Sequence, residues 1–225
     1  MDLQLTDRVV LVVGGTGLIG SAVADALRAE GAVPVLAARG DDADIVLDAT
    51  DDASVAAGVA AVLAQHGRID GLVVTAAPAA QTLDAARANE PGQVAEQMER
   101  KGMAFLRVAN AVLPSMREAG AGRIVGVAGQ LARMSGSITA AVRNASLIIA
   151  AKALADETAG TGITVNVVNP GAVVPEPGSD IRPATPGDST PAQVASLIVY
   201  LLSPVHAVSG ESIAVGHSLR GVVSI

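Results

Sequence analysis

Cysteine and tryptophan are missing from all 225 residues, and the only aromatics are Phe105 and Tyr200. Without thiols the chain can form no disulfide, no thiolate nucleophile and no Cys-based metal site. Its three histidines, His66, His206 and His217, are scattered and have no ligand spacing. The formal charge is −7 and there is no basic run. An acidic chain so poor in aromatics lacks the groups that neutralise phosphates and stack on bases, so nucleic acid is excluded as a partner. No apolar run approaches the ~18 residues of a membrane span, so no membrane association is expected. The start "MDLQLTDRVVLVVGG" has no basic segment followed by a cleavable apolar stretch. These absences predict a soluble, cytoplasmic globular protein.

With half of its residues hydrophobic and almost none aromatic, the core must be built from Ala, Val, Leu and Ile. That composition suits helices packed on a buried parallel sheet. A chain of this length buries roughly 70–75% of its unfolded surface, enough for a core that needs no staple.

Apolar β-branched runs alternate with helical patterns throughout. Strands are predicted over Arg8–Val13, Ala32–Ala38, Asp44–Asp48, Ile69–Ala77, Gly122–Gly129, Gly162–Val168 and Ser212–Gly216. Helices are predicted over Ile19–Glu30, Ala53–His66, Gly92–Ala119, Thr139–Ala159 and Pro191–Leu202. The pattern predicts one α/β domain over residues 1–225: a Rossmann-type, doubly wound parallel sheet of about seven strands with helices on both faces. The Pro- and Gly-rich stretch from Pro170 to Pro191 reads as a loop at the sheet's carboxyl edge rather than a linker.

The first strand runs into "VVGGTGLIGSAVADAL", where Gly14, Gly17 and Gly20 give GxxGxxG. In such a loop one glycine permits a tight turn, one lets a pyrophosphate approach the backbone, and one lets helix and strand pack closely. The helix that follows offers free N–H groups and a partial positive charge. Gly14, Thr16, Gly17, Leu18 and Ile19 are therefore candidate dinucleotide contacts; the competing reading is a turn kept only for packing. At the end of the second strand stands Arg39, where an acid would select NAD and an arginine NADP. Arg39 favours NADP, with a plain solvated surface charge as the alternative.

In this order of motifs the chain resembles the short-chain dehydrogenase/reductase family. The resemblance rests on "GGTGLIG", on "LDATD" (Leu47–Asp51), on "NAVLPSM" followed by "GRIV", on "GITVNVVNPG" (Gly162–Gly171) and on "SGESIAVG" (Ser209–Gly216). It covers nearly the whole chain. It implies adenine contact by Asp48, a cofactor wall at Ala76, and association into a dimer or tetramer through the two long helices. It also implies a catalytic Asn, Ser, Tyr and Lys. At those positions this chain has Lys101, Gly129, Ala140 and Asn144. The only lysines are Lys101 and Lys152, and neither follows a tyrosine by four residues. The family's threonine before the loop glycine is Val13, and Pro175 stands near its carboxamide-binding threonine.

The tyrosine's proton donation, worth ~10²–10⁴ in rate, is thus missing from its usual place. Three readings follow. One is a catalytically silent subunit, binding NADP weakly if at all, in a homo-oligomer or a hetero-oligomer with an active homologue. Another is an enzyme with relocated chemistry, a cyclase, dehydratase or isomerase drawing on Lys101, Gln130, Arg133, Ser135, Ser137, Thr139, Arg143, Asn144 or His217. The third is an atypical NADP-dependent reductase. Arg133 and Arg143 are expected at the surface, and His217 as a cap on a strand end. An open, polar pocket above Gly129 and Ala140 would favour an enzyme; a filled one would exclude it.

Overall fold

The structure is a computed structural model, describing residues 1–77, 82–133, 136–178 and 185–218. The first strand, β1 (Val9–Val13), shows why a sheet forms: all five residues are buried. Val9, Leu11 and Val13 enter one core, while Val10 and Val12 enter the other. A strand that is apolar on both faces needs cover on both.

The remaining elements follow in the predicted order: α1 (Leu18–Ala29), β2 (Val33–Ala38), β3 (Ile45–Val46), α2 (Asp52–His66), β4 (Gly71–Val74), α3 (Pro91–Met98), α4 (Ala104–Ala119), β5 (Gly122–Val127), α5 (Ile138–Glu157), β6 (Ile163–Pro170), α6 (Pro191–Leu202) and β7 (Ser212–Val215). The strands form one sheet in the order β3-β2-β1-β4-β5-β6-β7, and every neighbouring pair is parallel. On one face α2, α4 and α5 cover residues such as Leu72, Ile124 and Val165. On the other, α1 and α6 cover Val73, Val125 and Val168. The order reverses between β1 and β4, the switch point at which open α/β sheets bind ligands.

Local chemistry sets the helix starts. Asp51 accepts a hydrogen bond from the Ser54 amide at the head of α2, Ser137 accepts from Ala140 at the head of α5, and Thr190 with Gln193 forms a capping box on α6. Each satisfies amides that the helix cannot. Helix α1 begins at Gly17 with no side-chain cap, leaving its first amides open at the sheet's carboxyl edge.

Two expectations need correction. Gly92–Ala119 is not one α-helix, because Glu99–Met103 between α3 and α4 is wound as a π-helix. The wider turn brings Gly102 against α5, where a Cβ would stand 2.2 Å from Ser146 Oγ. Strand Ile69–Ala77 also shortens to Gly71–Val74, because Thr75 and Ala76 turn into the loop that meets Gly14. Helix α5 is long and apolar enough to cross a membrane, yet Leu147, Ala151, Leu154 and Ala155 bury it in the core.

Candidate functional site

A cleft of about 1110 Å³ opens at the carboxyl ends of the strands around the switch point. Its walls include all eight candidate contacts: Gly14, Thr16, Gly17, Leu18, Ile19, Arg39, Asp48 and Ala76. The three glycines divide the work as their spacing suggests. Gly14 turns the chain at φ +84°, and a Cβ there would stand 2.6 Å from Thr75 Oγ1. At Gly20 a Cβ would lie 2.2 Å from the Gly14 carbonyl oxygen, so no side chain fits between helix and loop. Gly17 is different, since its Cβ position meets only Gly14 O, at 3.3 Å. The space beside it faces the cleft, forming a cradle that a side chain would fill and a phosphate fits. The loop residues therefore suit a dinucleotide.

The sequence reading overlooked Thr75. Its hydroxyl donates to the Val13 carbonyl at 3.1 Å and to that of Gly14 at 3.0 Å, so the residue just after β4 braces the glycine loop. At one end of the cleft stands Asp48, whose carboxylate accepts from the Thr50 amide at 2.9 Å and hydroxyl at 2.7 Å. Those bonds, with smaller help from the Arg39 and Arg100 charges, hold its pKa below the ordinary aspartate value. Arg39 is exposed on the same wall, and Arg100 joins it while paired with Glu96 at 3.1 Å.

The opposite end of the cleft carries several polar side chains on its wall. Lys101, Gln130, Arg143, Asn144 and Gly129 line it, along with Pro170–Val173 and Pro186 from the proline-rich segment. Ala140 is buried but is not part of the wall. Lys101 is carried inward by the π-helical turn and donates to the Ala128 carbonyl at 3.0 Å. Burial, reinforced by the nearby Arg143 charge, lowers its pKa from 10.5 to about 7. Asn144 donates to the Ala140 carbonyl at 2.8 Å, which fixes the amide's orientation. Its oxygen is buried and meets no donor among the described residues, 3.3 Å from where a Gly129 side chain would begin.

Arg143 is not a surface charge. It is 3% exposed, donates to Gln97 Oε1 at 3.1 Å, and its pKa is lowered by burial. Other candidates have structural duties. Gln130 donates to the carbonyls of Val215 and His217, Thr139 to that of Ala88, and Ser137 caps α5. The His217 side chain is exposed away from the cleft wall, its carbonyl accepting from Gly187 beyond β7. Pro175 also lies off the wall. Ser135 and the side chain of Arg133 fall outside the described residues. Among the described residues no group of acids and histidines could hold a metal ion.

Residues 15–217 match the family model described as enoyl-(acyl carrier protein) reductase. The chain belongs to the short-chain dehydrogenase/reductase family. It is 34% identical to a Streptomyces virginiae protein assigned as a ketoacyl reductase of the monensin polyketide synthase, over 91% of this chain and 93% of that one. It is 28% identical to the 3-oxoacyl-[acyl-carrier-protein] reductase of Vibrio cholerae, over 95% and 97%. Crystal structures agree in fold: levodione reductase superposes with a TM-score of 0.81 at 22% identity, over 95% of this chain and 97% of that one. A short-chain dehydrogenase/reductase from Burkholderia xenovorans gives 0.77 at 24% identity, over 98% and 99%. Members of this oxidoreductase family typically bind NAD(P)H.

Proposed function

We propose that this member binds NADP(H) in the cleft but does not carry out the family's tyrosine-dependent carbonyl reduction. What supports the reading is the sequence of α5: Ala140 and Asn144 stand where the family resemblance puts the tyrosine and lysine, while the glycine loop and Asp48 line the cleft. The loop amides and the uncapped start of α1 would hold the pyrophosphate, Asp48 and its turn the adenine, and Arg39 a 2′-phosphate. Bound NADPH supplies a hydride; no hydroxyl donor stands at residue 140 to match it with a proton. The protein assembles as an oligomer through α4 and α5 and works in the cytoplasm.

Calorimetric titration with NADPH, NADP⁺, NADH and NAD⁺ tests the binding half. Binding of the phosphorylated forms is expected, and silence from all four overturns it. The catalytic half is tested with an acetoacetyl thioester and NADPH, since several relatives are named for reducing such substrates. Turnover by the unaltered protein at ordinary family rates refutes the proposal. The double variant Ala140→Tyr/Asn144→Lys should gain ~10²-fold or more over the parent.

The open cleft supports a second reading, an enzyme with relocated chemistry. Its reaction end remains an empty volume lined by Lys101, Arg143 and Asn144 rather than filled by side chains.

A further inference from the structure

We propose that Lys101 is a nucleophilic amine that condenses with a small aldehyde or ketone held at the inner end of the cleft.

Several observations meet there. Lys101 is one of only two lysines in the chain. It stands in the π-helical turn Glu99–Met103, a kind of irregularity that often marks functional positions. Among the described residues it donates to a carbonyl, that of Ala128, and no carboxylate pairs with it. The next residue is Gly129, which has no side chain to block the cleft, and beyond it the Asn144 oxygen waits without a donor. Lys101 and Asn144 both line this end of the cleft, an amine to attack a carbonyl carbon and an acceptor for the hydroxyl that forms.

The electrostatics favour the reactive form. Desolvation together with a neighbouring cation is the standard means of freeing a lysine lone pair, and both lower the pKa of Lys101 here. About half of its amines are neutral near pH 7, against roughly one in three thousand for an ordinary lysine.

The step balances without an external oxidant or reductant. The Nζ lone pair attacks the carbonyl carbon and the C=O π electrons move to oxygen, giving a carbinolamine once protons are exchanged. Its hydroxyl has an acceptor in Asn144 Oδ1. The C–O bond then breaks, the oxygen leaves as water with the two former amine hydrogens, and a C=N bond to Lys101 remains.

The experiment uses the full chain with no dinucleotide, so its failure would leave the NADP(H) reading untouched. Protein is incubated with propanal and cyanoborohydride at pH 7.0, then mapped by peptide mass spectrometry. Lys152, exposed and paired with Asp156, is the internal comparison, and the α-amine of Met1 reports that the reagents work. Lys101 should be alkylated at least ~10-fold faster than Lys152, its advantage shrinking as pH approaches 10. Equal or faster labelling of Lys152 at pH 7.0 overturns the proposal, as does labelling of Lys101 only in urea. Asn144→Ala should slow labelling of Lys101 while leaving that of Met1 unchanged.

Discussion

Replacing Lys101 with methionine removes a buried cation while keeping a long, flexible, nearly isosteric side chain. In the wild type the folded state releases the proton at about 7, and the unfolded chain holds it to about 10.5. Between those values the unfolded state binds more protons, so wild-type stability climbs with pH. Below pH 7 both states are protonated and the full cost of burying the charge is felt; above 10.5 both are neutral and it vanishes. The interval of about 3.5 pH units, at ~1.4 kcal/mol each, sets an upper figure of about 5 kcal/mol. Lys101→Met escapes this dependence, although it leaves the Ala128 carbonyl without its donor at a pH-independent cost of ~1–3 kcal/mol. Urea unfolding of both proteins at pH 6.5 and 9.5 isolates the titration, because other groups cancel in the difference. The wild type should gain about 3 kcal/mol relative to the variant over that range. Parallel stability curves would refute the reasoning, meaning that the ammonium remains hydrated in the fold.

Gly17→Ala should fold with nearly unchanged stability, its φ of −80° being open to any residue, yet lose most dinucleotide affinity in calorimetry. Gly20→Ala, whose Cβ would collide with backbone 2.2 Å away, should instead destabilise by ~2 kcal/mol or more in urea unfolding. Arg39→Ala should weaken NADPH binding about tenfold and leave NADH unchanged, a loss that salt reproduces in the wild type. Ile149, 69% exposed on α5, should lie in the oligomer interface, so light scattering should report a smaller assembly for Ile149→Lys.

The sheet was legible because its strands are nearly continuous apolar runs: "RVVLVV" and "GITVNVV" have few other ways to satisfy both faces. The glycine loop was legible for the opposite reason, since each glycine fills a place that a side chain would obstruct or expose. Arg143 was not. Helix α5 is rich in alanine around its whole circumference, so periodicity could not tell which face met the sheet, and an arginine there defaults to solvent. It is held inside through Gln97 on a different helix, a pairing no local pattern encodes. Thr75 escaped notice because its target carbonyls lie more than sixty residues earlier. The π-helical turn was hidden by a window that reads as continuous helix, and the contact it makes, Gly102 against Ser146, lies across to another helix.

That turn also sets a phase relation. Successive α-helical residues are rotated by about 100° around the axis, so one residue deleted from Glu99–Met103 would swing all of α3 by more than a quarter turn relative to α4. Gln93 and Gln97, now buried against α5, would rotate toward water, and the neighbouring residues would inherit their places. Phe105 and the core below would keep their contacts, anchored from the other side. The five residues thus act as a coupling between two helices that follow one another without a break in the chain. Their number is constrained more tightly than most of their identities, and length variation in this segment would be tolerated only in step with a rewritten α3.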